Sequence, residues 1–386
     1  MATINMGTSR FYRIPALLSD AMPSSLPALF LLLPLLLSRP PSTASRPFPA
    51  NQPDGPDRSH LPPGHRDDTW RSFERLLDAK RGTHIPGIGD LKRYFARFGY
   101  FPSPTSNLTD NAFDSRFESA LTLYQTRLGL PVTSKLDART LSQIMTPRCG
   151  VPDSVNLNRT GGVQRFAFFP GEPRWVRSGP LTLTYAIGPT DAVDYIPRAE
   201  VEAAFRRAFR RWASVIPVRF EETTEYEAAD VKVGFYSGDH GDGEPFDGVL
   251  GVLAHAFSPD SGLLHLDSAE RWAVDFRVEG SKVAVDLESV ATHEIGHVLG
   301  LAHSRVKEAV MYPSLSPRTR KVELRVDDVE GVQALYGSNP NFTFSSLFES
   351  DTSSAPKIAG SVMISHSWII GRNSIGILAV MIALCI

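Results

Sequence analysis

The chain has 386 residues, of which 42% are hydrophobic and 21% are charged, and its formal net charge is −2. These values are ordinary for a globular protein with room for two folded domains, and the near-neutral balance argues against nucleic acid or an acidic molecule as a partner. The two cysteines, Cys149 and Cys385, are too few for a disulfide framework.

The N-terminus carries the features of a secretory signal. Basic residues precede the apolar run Leu26–Leu37, and the small residues Ser42 and Ala44 follow it. This order is typical of a signal peptide with a cleavage site. A membrane anchor is the alternative, but a run of about 12 residues is too short to span a bilayer. We therefore predict a signal peptide over 1–44, and a disordered Pro-rich segment over 45–69.

The next part of the chain is predicted to be helical. Apolar residues recur at helical spacing in Ile88–Phe101 and in Phe113–Leu128, and Leu141–Met145 has the pattern of a third, shorter helix. These stretches predict a small all-α domain between residues 70 and 147.

From residue 181 onward the pattern changes to mixed strands and helices. Val201, Phe205 and Trp212 form one apolar stripe of an amphipathic helix. We predict strands at Leu181–Ile187, Val218–Glu222, Val231–Tyr236, Leu253–Phe257 and Leu263–Asp267, and helices at Ala199–Val215, about Val285–Leu301, and Val326–Tyr336 before Gly337. This order predicts an α+β domain of ordinary size.

The C-terminus is apolar over Ile375–Ile386, and a mixed spacer separates this tail from the small residues Ala359–Ser361. Small residues, spacer and terminal apolar tail are the features of a signal for a GPI anchor. A tail that associates weakly with membranes is the alternative. We predict a polar linker over 338–360 and a GPI-type signal over 361–386.

The most informative motif is His-Glu-Ile-Gly-His-Val-Leu-Gly-Leu-Ala-His at 293–303. His293 and His297 stand one helical turn apart on one face, a spacing that suits two ligands of one Zn²⁺, and Glu294 is then held beside the metal. Gly300 permits a positive φ, so that His303 can return as a third ligand. Three protein ligands leave an open position for water, which is typical of a catalytic zinc.

The motif, together with Met311 in Val-Met-Tyr-Pro shortly after it, resembles the metzincin zinc endopeptidases. The resemblance implies that Met311 lies in a turn beneath the metal and packs there without binding it. An ordinary core methionine would be buried in the same way. Zinc and Glu294 then imply amide hydrolysis by metal-activated water, with Glu294 as the general base.

Cys149 lies in Pro-Arg-Cys-Gly-Val-Pro-Asp at 147–153, which closely resembles the cysteine-switch segment of matrix metalloproteinase propeptides. A thiolate is a good zinc ligand, so Cys149 in the fourth position would keep the enzyme latent. By the same resemblance, Arg148 and Asp153 pair to hold the segment. A reactive or unpaired surface thiol is the alternative.

Six of the ten histidines fall between 240 and 303, and those outside the motif are explained by the same resemblance. It implies a structural zinc held by His240, Asp242, His255 and His265, and calcium held by Asp247, Gly248, Asp267 and Glu270. Without the resemblance, scattered His and Asp residues in loops would as readily be solvated. The loop Ser258–Leu264 is shorter than is usual in the family, which leaves a second calcium at Asp230 open.

The resemblance also implies an activation site and a specificity pocket. Cleavage after Arg165 would release a propeptide, and the new terminus at Phe166 would pair with Asp327 or Asp328. Substrate preference would come from the wall Pro313–Leu324 and from Ser289, which lies one turn before His293.

The expected architecture is α+β. A metzincin-type catalytic domain over 166–337, with a twisted, mostly parallel sheet and three helices, follows a propeptide over 70–165 that contains a small all-α peptidoglycan-binding-like prodomain. The overall pattern is most similar to plant-type matrixins without a haemopexin domain. The sequons at Asn107, Asn158 and Asn341 agree with secretion.

The chain is thus expected to be a secreted, monomeric, lipid-anchored zinc endopeptidase that acts on extracellular proteins or peptides and needs Zn²⁺ and Ca²⁺. A catalytically silent protease fold that binds cell-wall or matrix polymers is the alternative from another class. Another metzincin branch is the enzymatic alternative, which the Cys149 segment disfavours.

Overall fold

The computed structural model describes residues 72–101, 108–153, 166–345 and 347. The predicted signal peptide, Pro-rich segment and C-terminal anchor signal, with Asn107 and Asn158, lie outside these residues. Within the described part of the chain, no helix is both long enough and apolar enough to cross a bilayer.

The N-terminal part is helical, as predicted. It contains a 3-10 turn at Ser72–Leu76, followed by α1 (Ile88–Arg97), α2 (Ser115–Arg127) and α3 (Ala138–Ile144). Asp114 and Asp137 cap α2 and α3 by accepting hydrogen bonds from backbone N–H groups in the first turn. Helix α1 ends earlier than predicted, because the chain turns at Gly99 with a φ of 80°.

Aromatic side chains dominate the core of this helical domain. Phe95, Phe117 and Tyr124 are fully buried, and the rings of Phe95 and Phe117 meet edge to face at 5.3 Å. The same cluster includes Phe246 and Tyr312 from the later part of the chain. The helical domain therefore shares its core with the domain that follows it.

The second domain is built on a sheet of six strands, which are β1 (Arg148–Cys149), β3 (Leu181–Ile187), β4 (Val218–Glu222), β5 (Val231–Tyr236), β6 (Val252–Ala256) and β7 (Leu263–Asp267). Their order in the sheet is β1-β6-β7-β5-β3-β4. All neighbouring pairs are parallel except β6 with β7, in agreement with the predicted mostly parallel sheet. Strand β1 comes from the segment before the catalytic domain and extends the sheet at its edge.

Four two-residue strands, too short to be seen as a sequence pattern, form two further pairs. They are β2 (Ala167–Phe168) with β10 (Leu301–Ala302), which is antiparallel, and β8 (Trp272–Ala273) with β9 (Val285–Asp286), which is parallel.

Three helices complete this domain: α4 (Arg198–Val215), α5 (Leu287–Val298) and α6 (Val326–Tyr336). The amphipathic α4 packs its buried stripe between the sheet and α5, and the indole of Trp212 donates a hydrogen bond to the carbonyl of Thr292. Every residue of α5 is buried. A helix buried on all sides in this way holds its side chains in fixed positions.

The residues after α6 do not leave the domain at once. Asn339 bonds through its backbone N–H to the carbonyl of Val215 and through its side chain to the carbonyl of Ala213. Phe342 and Leu347 pack against the main core. The beginning of the segment interpreted as a linker thus contacts the end of α4.

Candidate metal centres and substrate cleft

The histidines of the motif converge at the end of α5. His293 and His297 lie one turn apart with their Nε2 atoms 3.1 Å from each other, and Nε2 of His303 lies 3.2 Å from that of His297. Gly300 has a φ of 102°, and a side chain there would collide with the carbonyl oxygen of Pro173. The chain can therefore turn back to place His303 only with glycine at this position.

The other ring nitrogen of each histidine sets the direction of its lone pair. Nδ1 of His293 lies 2.7 Å from the carbonyl oxygen of Val310, and Nδ1 of His297 lies 2.7 Å from that of Leu301. A carbonyl oxygen only accepts, so Nδ1 carries the proton and Nε2 presents a lone pair. Burial lowers the pKa of both rings and keeps them neutral. Converging neutral donors of this kind fit a bound cation.

Cys149 supplies the fourth donor. Its Sγ lies 3.4 Å from Nε2 of His297, and the four donor atoms of Cys149, His293, His297 and His303 all lie within 4.8 Å of one another. Three imidazoles and one thiolate match the ligand set of tetrahedral zinc. The structure thus brings together the four residues that the two motifs predicted to meet.

Glu294 points its carboxylate into the same space. It is 1% exposed, and in the described residues neither of its oxygens has an N–H or O–H partner. Burial raises the pKa of Glu294 to about 8. Burial, followed by the charge of Glu294, raises the pKa of the neighbouring Cys149 thiol. A buried carboxyl without an N–H or O–H partner beside converging metal donors is unusual and points to a chemical role.

Met311 packs against α5 at Gly296, the residue before His297. It is buried, and a side chain at Gly296 of α5 would collide with its sulfur. Its backbone N–H is held by a carboxylate oxygen of Asp328. This position agrees with the packing role that the resemblance implied.

The carboxylate of Asp153 holds the cysteine segment against the metal cluster. Its Oδ1 lies 2.7 Å from a guanidinium nitrogen of Arg148 and 2.7 Å from Nδ1 of His303. Its Oδ2 accepts a hydrogen bond of 2.6 Å from the hydroxyl of Tyr100. The Arg148 guanidinium also lies over the ring of Phe98, at 3.6 Å from its centroid.

Sequence reasoning missed Tyr100, Phe98 and the contact with His303. Arg127, which donates to the backbone carbonyl of Asp153, was also missed. These partners come from positions 26 to 150 residues away in the chain, and no local pattern marks them.

The second cluster forms around one oxygen of Asp242. His240 Nε2, His255 Nε2 and His265 Nδ1 lie 2.8, 2.7 and 2.8 Å from Oδ2 of Asp242. Burial lowers the pKa of His255 to about 4, which keeps this ring neutral near neutral pH. Three imidazoles and one carboxylate at these distances fit a closed tetrahedral zinc site.

The predicted calcium ligands lie together in the turns around β6 and β7. Asp247, Asp267 and Glu270 accept backbone N–H bonds from Val252, Gly248 and Leu250 respectively. Burial and then the charge of Asp267 raise the pKa of Glu270 to about 8. In the described part of the chain, the second oxygen of Glu270 is buried and has no hydrogen-bond partner. An orphaned oxygen among carboxylates fits a hard cation.

Asp230, the residue left open for a second calcium, is occupied by protein donors. Its carboxylate accepts from the guanidinium of Arg177 and from the backbone N–H and hydroxyl of Thr184. In this arrangement the Arg177 cation balances the charge of Asp230, and a second calcium at this residue stays an open prediction.

The cysteine segment fills a cleft between the sheet edge and a facing wall. On one side, Gly150 N donates to the carbonyl of Ala254 in β6. On the other, Cys149 N donates to the carbonyl of Pro313, and Leu315 N donates to that of Pro147. Both edges can bind an extended chain by main-chain hydrogen bonds.

A pocket lies beside Glu294, between α5 and the wall that follows Pro313. Its lining includes Ser289 and the wall residues that the sequence predicted to set specificity. The lining residues include Leu253, Val290, His293, Val310, Tyr312, Leu315 and Lys321.

Comparisons with known proteins agree with both parts of this architecture. The family profile described as Matrixin matches residues 174–337, and the profile of a putative peptidoglycan binding domain matches residues 85–144. These ranges correspond to the sheet domain with its metal clusters and to the helical domain.

Individual proteins are similar over most of the chain. Metalloendoproteinase 1-MMP of Arabidopsis thaliana is 54% identical over 289 residues, which cover 74% of this chain and 78% of that protein. Metalloendoproteinase 4-MMP of the same plant is 57% identical, over 69% of this chain and 77% of that protein. The interstitial collagenase of Oryctolagus cuniculus is 42% identical, over 55% of this chain and 42% of its own length.

Proposed function

Because this chain belongs to the matrixin family and is a zinc metalloendopeptidase, we propose that it is a secreted, latent zymogen that hydrolyses peptide bonds of extracellular proteins with Glu294 as the general base. One observation supports this role most: in the described structure the carboxylate of Glu294 is buried without an N–H or O–H partner, beside three converging imidazoles.

His293, His297 and His303 would hold the catalytic zinc, which when bound supplies a Lewis acid and an activated water. Glu294 accepts the proton of the attacking water at a carboxylate oxygen and returns it to the leaving amine. The edge of β6 and the wall at Pro313 hold the substrate backbone in an extended form.

Latency follows from the position of the cysteine segment. Cys149 occupies the fourth donor position, and its neighbours form the hydrogen bonds of the cleft that a substrate would need. A substrate therefore cannot bind until this segment leaves.

Cleavage between Arg165 and Phe166 would start the mature enzyme. The side chain of Phe166 already packs against Gly331 of α6, within 3.2 Å of where a Cβ would lie. The buried carboxylates of Asp327 and Asp328 begin the same helix. A new ammonium at Phe166 would thus arise near two buried acids, which supports the predicted pairing.

The remaining features are proposed from the sequence and from chemistry. His240, Asp242, His255 and His265 would bind a structural zinc, and Asp247, Gly248, Asp267 and Glu270 would bind calcium. Asn341 is exposed, as a glycosylated asparagine must be. Secretion, glycosylation and a GPI anchor after removal of 361–386 are the proposed route to the cell surface.

A Glu294→Gln variant tests the proposed role. It keeps the shape of the side chain and all proposed metal ligands, so zinc content measured by atomic absorption should equal that of the wild type. Peptide hydrolysis after propeptide removal should fall by about 10²–10⁴-fold. The exposed Glu308 provides a matched control, because Glu308→Gln changes a carboxylate in the loop after the motif without touching the cluster. Undiminished hydrolysis by the zinc-loaded Glu294→Gln variant would exclude Glu294 as the base.

The same assay separates the enzyme from a silent protease fold that binds wall or matrix polymers. A propeptide-free, zinc-loaded wild type that binds such polymers and cleaves no peptide would support the second function.

A further inference from the structure

The pocket beside Glu294 is apolar along its sides but has a cation at one wall. Leu253, Val290 and Leu315 supply hydrocarbon surface. Lys321 is the one lysine or arginine among the described residues that line this pocket. The pocket is therefore not wholly apolar.

The backbone at Lys321 is fixed to the zinc-binding helix by two adjacent contacts. The N–H of Lys321 donates to the hydroxyl of Ser289 at 2.7 Å, and that hydroxyl donates to Asp286 at 2.5 Å. The guanidinium of Arg320 bonds to Glu288 at 2.8 Å. Consecutive wall residues are thus tied to consecutive residues of α5.

The carboxylate of Glu288, which binds Arg320, is itself held firmly in place. Glu288 is 2% exposed, and Arg207 and Arg211 of α4 also bond to its carboxylate, each at 2.7 Å. A buried carboxylate with three guanidinium partners holds its position firmly. The wall residue Lys321 therefore cannot move away from the pocket without breaking these bonds.

The ammonium of Lys321 is held near the wall but keeps hydrogen-bonding capacity. Nζ donates to the carbonyls of Lys307 and Ala309, each at 3.2 Å, and lies 5.2 Å from the ring centroid of Tyr312. An ammonium has three donors, so one remains after these two bonds. No salt bridge to Lys321 occurs among the described residues, and burial lowers its pKa to about 8.

We infer that Lys321 enables this pocket to take long side chains that end in an oxygen acceptor, such as glutamine or glutamate, in addition to apolar ones, at the substrate position after the scissile bond. This inference rests on the proposed function. The apolar sides would hold the aliphatic stem, and the remaining N–H of Lys321 would meet the terminal oxygen. A hydrogen bond from a charged donor offsets the cost of burying that oxygen.

Three quenched peptides that differ only after the scissile bond provide the test. Glutamine and methionine are nearly equal in length and differ in the terminal acceptor, and glutamate distinguishes a carboxylate from an amide oxygen. With the activated wild-type enzyme, kcat/KM for the glutamine peptide should lie within about fivefold of the methionine peptide. If kcat/KM for the glutamine peptide is more than about fivefold below that for the methionine peptide, this result with the wild type alone would overturn the inference.

Lys321→Met then removes the ammonium and keeps a long apolar side chain. It should lower kcat/KM for the glutamine peptide about tenfold and leave that for the methionine peptide within about twofold. Lys307→Met is the matched control, since it removes a nearby charge but keeps the carbonyl that Lys321 binds, and it should change neither value. An unchanged ratio in a folded Lys321→Met variant would contradict the inference while leaving the proposed function intact. Failure of the zinc-loaded, propeptide-free wild type on all three peptides would instead contradict the proposed function.

Discussion

Asp153 of the cysteine segment and His303 of the histidine motif are joined by a hydrogen bond of 2.7 Å between a carboxylate oxygen and Nδ1. The cysteine segment therefore contacts the histidine cluster twice, once through the sulfur of Cys149 and once through this carboxylate. A partner on the far nitrogen of a ligand histidine fixes its tautomer and orientation. The segment that blocks the cluster also helps to hold it in shape.

An Asp153→Asn variant should be less latent than the wild type. The substitution keeps the size of the side chain but removes the charge that pairs with the buried Arg148, and breaking such a pair from one side costs about 3–5 kcal/mol. Basal hydrolysis, measured as a fraction of the activity after propeptide removal, should rise at least about tenfold. Tyr100→Phe removes one neutral bond to the same carboxylate and should have a smaller effect. An Asp153→Asn zymogen as silent as the wild type would refute this role.

Cys149→Ser should also raise basal activity, for a different reason. A hydroxyl is a much poorer zinc ligand than a thiolate, so the fourth position would open to water while the main-chain bonds of the segment remain. The increase should appear without propeptide cleavage, as judged by gel mobility of the intact chain. After full activation, the variant and the wild type should be equal, because the segment has then gone. A fully latent Cys149→Ser protein would be inconsistent with a cysteine switch.

Calcium removal should destabilise the catalytic domain. Without a cation, Glu270 stays buried beside the charge of Asp267, which is unfavourable for its ionised form, and the second oxygen of Glu270 is left without a hydrogen-bond partner in the described structure. For a ligand at about 100 times its Kd, the lost stabilisation is about 2.7 kcal/mol, which lowers Tm by about 5–10 °C in a domain of this size. Scanning calorimetry with and without a calcium-selective chelator measures the shift.

The calcium dependence should be reduced by Glu270→Gln and retained in Glu227→Gln, which changes a glutamate whose side chain is 82% exposed. Equal chelator sensitivity of Glu270→Gln and the wild type would remove Glu270 from the site.

Asp328 should make the stability of the zymogen fall as pH rises from about 4 to about 6. Burial raises its folded-state pKa to about 6, above the ordinary value of 3.8, although three backbone N–H groups, those of Arg325, Met311 and Val310, partly oppose the shift. Between these values the unfolded state has lost the proton and the folded state still binds it, so ionisation favours unfolding; above about 6 the penalty is constant. The shift corresponds to about 3 kcal/mol.

The measurement is urea unfolding of the wild type and of Asp328→Asn over this pH range. The wild type should lose stability relative to the variant by that order of magnitude, because asparagine does not titrate. A difference in unfolding free energy that stays constant from pH 4 to pH 6 would contradict a raised pKa.

Local patterns were sufficient to predict the main elements and the convergence of the motif. The strands at Leu181–Ile187 and Val231–Tyr236 and the helix at Val326–Tyr336 have the predicted bounds, because alternation and helical spacing extend to clear turn residues. The spacing of His293, His297 and His303 defines a metal site within eleven residues of chain. The bounds of these elements and the position of this metal site are thus encoded in short stretches of sequence.

Features that depend on distant parts of the chain could not be predicted. The pairing of β1 with β6, the ring of Phe98 under Arg148 and the bond from Arg320 to Glu288 all join segments far apart in sequence. The saturation of Asp230 by Arg177 is of the same kind. Each is decided by tertiary packing, which single-residue propensities do not encode.

The central claim is tested most directly by hydrolysis of a quenched Pro-Leu-Gly-Leu-type peptide by the purified chain before and after propeptide removal, the latter with and without a zinc chelator. We expect that the intact zymogen does not cleave the peptide significantly and that the protein cleaves it rapidly once the propeptide is removed. Addition of the zinc chelator should abolish that activity. A zinc-loaded, propeptide-free protein that leaves the peptide intact, or an intact zymogen as active as the processed form, would contradict the account.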